Sequence, residues 1–213
     1  METTRVLQRR AEQGDADAIF RLGYRLAFGR QRQLPTSWAE VVTLWGRAAA
    51  AGHGRAQFYL ATCFDFGRGV ESDPALAVRW YRRAAEQGHD VAAYNLGLCL
   101  RDGVGTRKNL RSARQWLQIA AQAGDADAAR DLGVLFHEGR GGARNDAQAV
   151  QWYRLAARLG DAKAQHNLGL CYLEGAGVAV SKRWAKYWLS KAVLAGNSNA
   201  KLPLRRLTAA LGG

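Results

Sequence analysis

Apolar positions along this chain follow a helical rhythm that starts, stops and restarts at fixed distances. Ala92, Leu96, Cys99 and Gly103 fall at i, i+4, i+7 and i+11, the spacing of one helix face. Glycine at the end of that run suits a helix C-terminus that turns left-handed. A second glycine follows two residues later and predicts a turn. A second helix is then predicted from Pro74 in one copy of the pattern to Ala84-Ala85, stopping before Gly88. The whole motif recurs every 36 residues. Gly52, Gly88, Gly124, Gly160 and Gly196 share that spacing. So do Trp80, Trp116, Trp152 and Trp188, and likewise Leu60, Leu96, Leu132 and Leu168. Two more glycine columns, Gly67 to Gly175 and Gly69 to Gly177, keep the same register. A period in this range marks stacked supersecondary units.

Polar residues punctuate the pattern where helices need caps. Ser37, Asp73, Asn109, Asn145 and Ser181 precede each second helix, and their side chains are good acceptors for unpaired backbone N–H groups. Pro74 follows Asp73 at a position where its missing N–H does no harm. The column before each first helix reads His53, His89, Asp125, Asp161 and Asn197, three good caps and two histidines. The first repeat has two extra residues, placed in the loop Gly29–Thr36 that contains Pro35. The chain therefore reads as a half unit over Thr3–Gln13, five helix pairs and a final helix that Pro203 breaks early. Arg205 and Arg206 give that last helix the polar outer side of a terminal cap. One all-α repeat domain over 1–213 is expected.

Composition changes the picture little. The chain has 213 residues, 48% of them hydrophobic and only three prolines, which excludes a disordered or collagen-like chain. No apolar run approaches the length of a membrane span. METTRVLQRRAEQGD lacks the apolar stretch of a secretory leader. With three cysteines, Cys63, Cys99 and Cys171, all in one column, a disulfide framework is not expected and a cytoplasmic location is.

The segments Ala92-Ala93-Tyr94-Asn95-Leu96-Gly97, Asp102-Gly103-Val104-Gly105 and Trp80 through Gly88 resemble the Sel-one-like repeat, a relative of the tetratricopeptide repeat. The resemblance covers about residues 3–200. It implies a right-handed α-α superhelix, a solenoid whose concave groove is lined mainly by the first helix of each pair. It also implies a non-catalytic adaptor that assembles protein complexes, a role common in bacteria. Secreted relatives carry a disulfide in each repeat and have been linked to penicillin binding or hydrolysis. This chain departs from them, because each of its cysteines lacks a partner within its repeat.

Constant columns are explained by packing, so a partner should be read by columns that vary. On that basis the groove residues are Phe20, Tyr24, Arg55, Phe58, Tyr59, Phe66, Tyr94 and Asn95 in the N-terminal half. In the C-terminal half they are Arg130, Asp131, His166 and Asn167. The first half is aromatic and the second polar. Aromatics and arginine are the usual anchors of protein interfaces, so the expected ligand is an extended or helical segment of a partner protein. A second reading of the Phe58/Tyr94 column stands beside this one: those side chains pack between repeats.

Charge adds an alternative partner. The formal charge is +13, and residues 107–213 hold 17 basic against 7 acidic residues. Lys182, Arg183, Lys186, Lys191, Lys201, Arg205 and Arg206 have no acidic neighbour in the last 38 residues. An acidic protein could dock there by long-range attraction. Nucleic acid is not expected, since no aromatic-basic platform accompanies the charges in the sequence. Signature motifs for zinc proteases, serine hydrolases or phosphate loops are absent. His137, Glu138 and His166 could approach one another between repeats as a metal or acid–base site, and the cysteines sit on the core stripe. No cofactor, no metal and no enzymatic activity are expected.

Overall fold

In a computed structural model, residues 3–29 and 37–210 are described. The loop carrying the two extra residues and Pro35 lies outside them. The described residues form twelve α-helices and no strand. They are α1 (Thr4–Glu12), α2 (Ala16–Phe28), α3 (Trp38–Ala50), α4 (Gly54–Phe66), α5 (Pro74–Glu86) and α6 (Asp90–Asp102). Then come α7 (Leu110–Gln122), α8 (Ala126–His137), α9 (Asp146–Arg158), α10 (Ala162–Glu174), α11 (Lys182–Leu194) and α12 (Lys201–Ala209). The chain divides into two compact units, Met1–Lys108 and Asn109–Gly213. Within each unit, helices consecutive in the chain pack against one another.

Helix starts are written in the caps. Ser37, Asp73, Asn109, Asn145 and Ser181 each accept the N–H of the third helical residue. Asp125 and Asp161 do the same for α8 and α10. The two histidines are caps as well: His53 Nδ1 accepts from Ala56 N–H at 3.1 Å and His89 Nδ1 from Ala92 N–H at 3.3 Å. Pro203 does not break α12. It sits in the first turn, where its N–H would have no helical partner, and a 3-10 turn at Ser198–Ala200 leads in.

The core is built by pairing large with small. Trp45, Tyr81, Leu117, Tyr153 and Leu189 share one column of the second helices, and all five are buried. The facing position on the first helix is small. A Cβ at Gly133 would come 2.6 Å from the Tyr153 ring, and one at Gly169 2.7 Å from Leu189. The more conspicuous tryptophan column stays partly open: Trp80, Trp116 and Trp152 are half-buried. The glycine column 69, 105, 141, 177 has a double requirement. Each adopts positive φ, and a Cβ there would lie within 2.4 Å of the backbone at the first residue of the helix two back. Only glycine satisfies both.

Candidate functional site

The first unit gathers aromatic side chains on the inner sides of α2 and α4. Tyr59 is the hub. Its ring centroid lies 4.9 Å from Trp45, 5.7 Å from Phe20, 5.7 Å from Tyr24 and 6.1 Å from Phe28. Burial raises its hydroxyl pKa above the ordinary tyrosine value. A cavity of about 200 Å³ opens beside it, lined by Phe28, Trp38, Tyr59, Thr62 and Phe66, with Arg68 at the rim. Phe66 is 67% exposed, and the Arg68 guanidinium lies 5.7 Å from its ring and 5.9 Å from that of Trp38.

Several of the expected groove residues come together here, and others do not. Phe58, Tyr59 and Phe66 line the cavity, and Tyr24 is exposed next to them. Phe20 is corrected to core: it is 2% exposed, closed over by Trp45, Tyr59 and the His53 ring at 4.7 Å. Arg55 lies over that same Phe20 ring at 5.1 Å with its outer side in solvent. Asn95 is half-buried on α6 near the Tyr81 hydroxyl, which donates to Asp65 at 3.0 Å. Tyr94 is half-buried on α6 and lies outside the cavity.

The column of Phe20, Phe58, Tyr94, Arg130 and His166 follows a rule in three of its members. These side chains meet the cap of the following first helix. Phe20 stacks on His53, Phe58 on His89 at 4.4 Å, and Arg130 pairs with Asp161 at 2.9 Å. His166 and Asn197 line one cavity together. Aromatic side chains meet imidazole caps, and the guanidinium meets a carboxylate cap. This column therefore packs between repeats, and the reading of Phe58 as primarily a partner contact is corrected to a staple with one exposed edge.

The second unit has a polar trough instead. Arg130, Val134, Lys163, His166 and Asn167 line a cavity of about 580 Å³ with the 195–199 segment. Val134 and Asn167 continue into a second, of about 340 Å³, with His137, Glu138, Tyr153 and Glu174. Arg130 is engaged by Asp127, by Asp131 at 2.8 Å and by Asp161. Burial draws its pKa down, but the carboxylates more than offset this and raise it. Arg130 and Asp131 thus neutralise each other in the wall, so neither offers a partner an uncompensated charge. Asn167 and Tyr153 share the second cavity, as Asn95 sits near Tyr81 in the first unit.

His137, Glu138 and His166 do not come together as a cluster. His137 Nδ1 faces Asp146 at 2.8 Å, Glu138 pairs with Arg140 at 3.1 Å, and His166 belongs to the other cavity. No group of three or more metal-ligating side chains occurs among the described residues. The three thiols are unpaired, and burial pushes each up to about 11, which disfavours the nucleophilic thiolate.

Three contributors escaped the sequence reading. Phe28 occupies the Phe66 position of the first repeat, legible through the 38-residue offset of that repeat. Trp38 and Arg68 had no such signal, because loop and helix-start residues lie off the periodic face. On α11, Trp184 and Tyr187 are exposed among cations, so an aromatic-basic platform does accompany the C-terminal charges.

The Sel1 repeat model matches residues 16–35, 54–89, 90–125, 126–161 and 162–197. A protective antigen of uropathogenic Escherichia coli with an SLR fold is 34% identical, with a TM-score of 0.88. That match covers 94% of this chain and 42% of the antigen, so this chain spans less than half of that relative. A Sel1 repeat protein of Oxalobacter formigenes is 33% identical over 88% of this chain and 76% of its own, with a TM-score of 0.81. A sel1 repeat protein of Klebsiella pneumoniae shares the fold at 23% identity and a TM-score of 0.51, covering 97% of this chain and all of its own. No curated protein matches the sequence. The α-solenoid fold class expected from the repeats is the fold of these relatives.

Proposed function

Because the chain belongs to the Sel1 repeat family, whose repeats are in general protein-interaction modules, we propose that it is a non-catalytic adaptor holding a partner's segment in the aromatic groove of its first unit. The observation that carries this reading is the exposed aromatic pair Phe28 and Phe66 beside the Tyr59 cavity. The same column holds Asp102, Glu138 and Glu174 in the later repeats. Those carboxylates show that the fold does not require an apolar residue there, so Phe66, two-thirds exposed, answers to something other than core packing. Rigid packing of Tyr59 against Trp45 lowers the ordering required on binding. Helical or extended segments with apolar anchors suit such a groove.

The test uses Phe66→Asp, which installs the residue found one repeat later. Affinity capture from the source cell with the wild-type chain should yield one stoichiometric protein, and Phe66→Asp should lose it with an unchanged thermal midpoint. Retention of the partner by the variant overturns the groove assignment. The enzymatic alternative, a hydrolase or penicillin-binding activity, would have to use buried, unpaired thiols of raised pKa, and His137, Glu138 and His166 do not come together to serve it. Covalent labelling by a fluorescent penicillin would favour it. Three free thiols fit a reducing compartment, consistent with a cytoplasmic setting.

A further inference from the structure

The second helices use one side for the core and leave the other to water. At the position of Tyr187 the other four carry Thr43, Arg79, Gln115 and Gln151, and at that of Trp184 they carry Glu40, Leu76, Ser112 and Gln148. Nothing in the repeat demands an aromatic residue at either. In α11 both are aromatic, with Trp184 47% and Tyr187 43% exposed.

The rings are held in place. Trp184 lies along the Tyr172 ring of α10 at 6.3 Å and 28°. Tyr187 meets Trp184 edge-on at 5.6 Å and Trp188 at 5.0 Å. Lys191 Nζ sits 5.2 Å and 5.7 Å from the centroids of Tyr187 and Trp188. Behind them Arg154 of α9 donates to the Tyr172 hydroxyl at 2.9 Å. At 100° per residue, Arg183, Trp184, Tyr187, Lys191 and Leu194 fall within about 100° of helix surface, away from the buried Ala185, Leu189 and Ala192. Leu194 is 87% exposed. Lys182, Arg183 and Lys186 of α11, with Lys201, Arg205 and Arg206 of the adjoining α12, are exposed and form no ion pair among the described residues, and no acidic residue follows Glu174 in the sequence.

We propose that this face of α11 is a second docking surface, independent of the aromatic groove, and that its occupant is an acidic polypeptide segment bearing apolar side chains. The occupant's carboxylates meet the uncompensated lysines and arginines, and its apolar side chains lie on Trp184, Tyr187 and Leu194. Charge complementarity sets the sign of the partner. Ring geometry sets its class. Only Trp184, Tyr187 and Leu194 are apolar on this stripe of α11, and the rings are packed on one side against Tyr172 and Trp188, which leaves little apolar area to enter a bilayer. The cations surround the rings on the outside of a helix and do not line a channel that could track a phosphate backbone. Tryptophan, tyrosine and arginine together are the usual anchors of protein interfaces.

The test compares four probes by fluorescence anisotropy or cosedimentation at low and high salt. They are a labelled peptide alternating Glu with Leu and Phe, its Gln-for-Glu analogue, an oligothymidylate, and phosphatidylcholine vesicles containing phosphatidylglycerol. The acidic peptide should bind in a salt-sensitive way, and the analogue, the oligonucleotide and the vesicles more weakly. Trp184→Gln with Tyr187→Gln, which copies the fourth pair, should weaken the peptide about tenfold or more. Arg183→Ala with Lys191→Leu, copying Ala147 and Leu155 of that pair, does the same if the aromatic variant fails to fold. Phe66→Asp should leave this binding unchanged, which separates it from the groove. The proposal is overturned if the acidic peptide does not bind, if it binds both α11 variants as well as wild type, or if any other probe binds more tightly.

Discussion

The two units use the same helices to build different inner walls. In the first, the inward columns of α2 and α4 are aromatic and the wall is a ring cluster around Tyr59 with Phe66 left in solvent. In the second, the same columns on α8 and α10 hold Arg130, Asp131, His166 and Asn167, and the wall is an ion-paired trough. The comparison shows that the contact between one first helix and the cap of the next is a slot with two chemistries. Stacking on imidazole fills it in the first unit, and a guanidinium–carboxylate pair fills it in the second. The aromatic solution leaves apolar edges accessible beside a cavity. The ionic solution consumes its own charges, which makes the second trough the poorer interaction surface despite its larger volume.

The sharpest way to break this contrast is to remove a buried support of each wall. Trp45→Ala should cost about 3–5 kcal/mol in urea unfolding, because a fully buried ring leaves a cavity, and should abolish binding in the groove with it. Arg130→Gln should cost about 2–3 kcal/mol, since three carboxylates lose the cation they share. Exchanging the slot chemistry by Arg130→Phe with Asp161→His should recover most of that loss; a double variant no more stable than Arg130→Gln would refute the slot rule.

Acid tests an imidazole cap of the first unit more gently. Burial disfavours the charged imidazole of His89 and lowers its pKa from 6.5, and protonation of Nδ1 would also remove the cap to Ala92. The unfolded chain therefore binds this proton more tightly than the folded one. The cap contribution, about 1 kcal/mol, is complete above the ordinary histidine value and is lost as pH falls from there through the depressed folded value. The exchange protection factor at Ala92 should fall over that window, and His89→Asp should remove the fall. The smallest effect concerns the thiols. With pKa values of about 11, Cys63, Cys99 and Cys171 should alkylate roughly a hundredfold more slowly than a free thiol at neutral pH, in both units alike.

Much of the fold was legible because its signals are local. Asn109 and Ser181 announce helix starts through their own side chains, and Gly103 and Gly175 announce ends through their own φ. The candidate site was legible only in outline. Tyr59 and Phe66 were found on the varying face, but Phe20 sits in the same aromatic series and is sealed under Trp45, Tyr59 and His53. Arg130 looked like an anchor, and its engagement by Asp161 spans 31 residues of sequence. Trp184 and Tyr187 lie on a second helix, off the varying face of the first helices where a partner was expected. Only comparison with Arg79, Gln115 and Gln151 at the Tyr187 position places that ring in water.

The amino-acid order alone determined the helix pairs, their boundaries, their caps and their spacing, since each depends on residues within one or two turns of one another. Which side chains of the varying face stay accessible was decided by the tertiary structure. Exposure depends on what the next repeat brings against a given ring or charge, and that neighbour lies some thirty residues away, where no local preference reports its size or its sign.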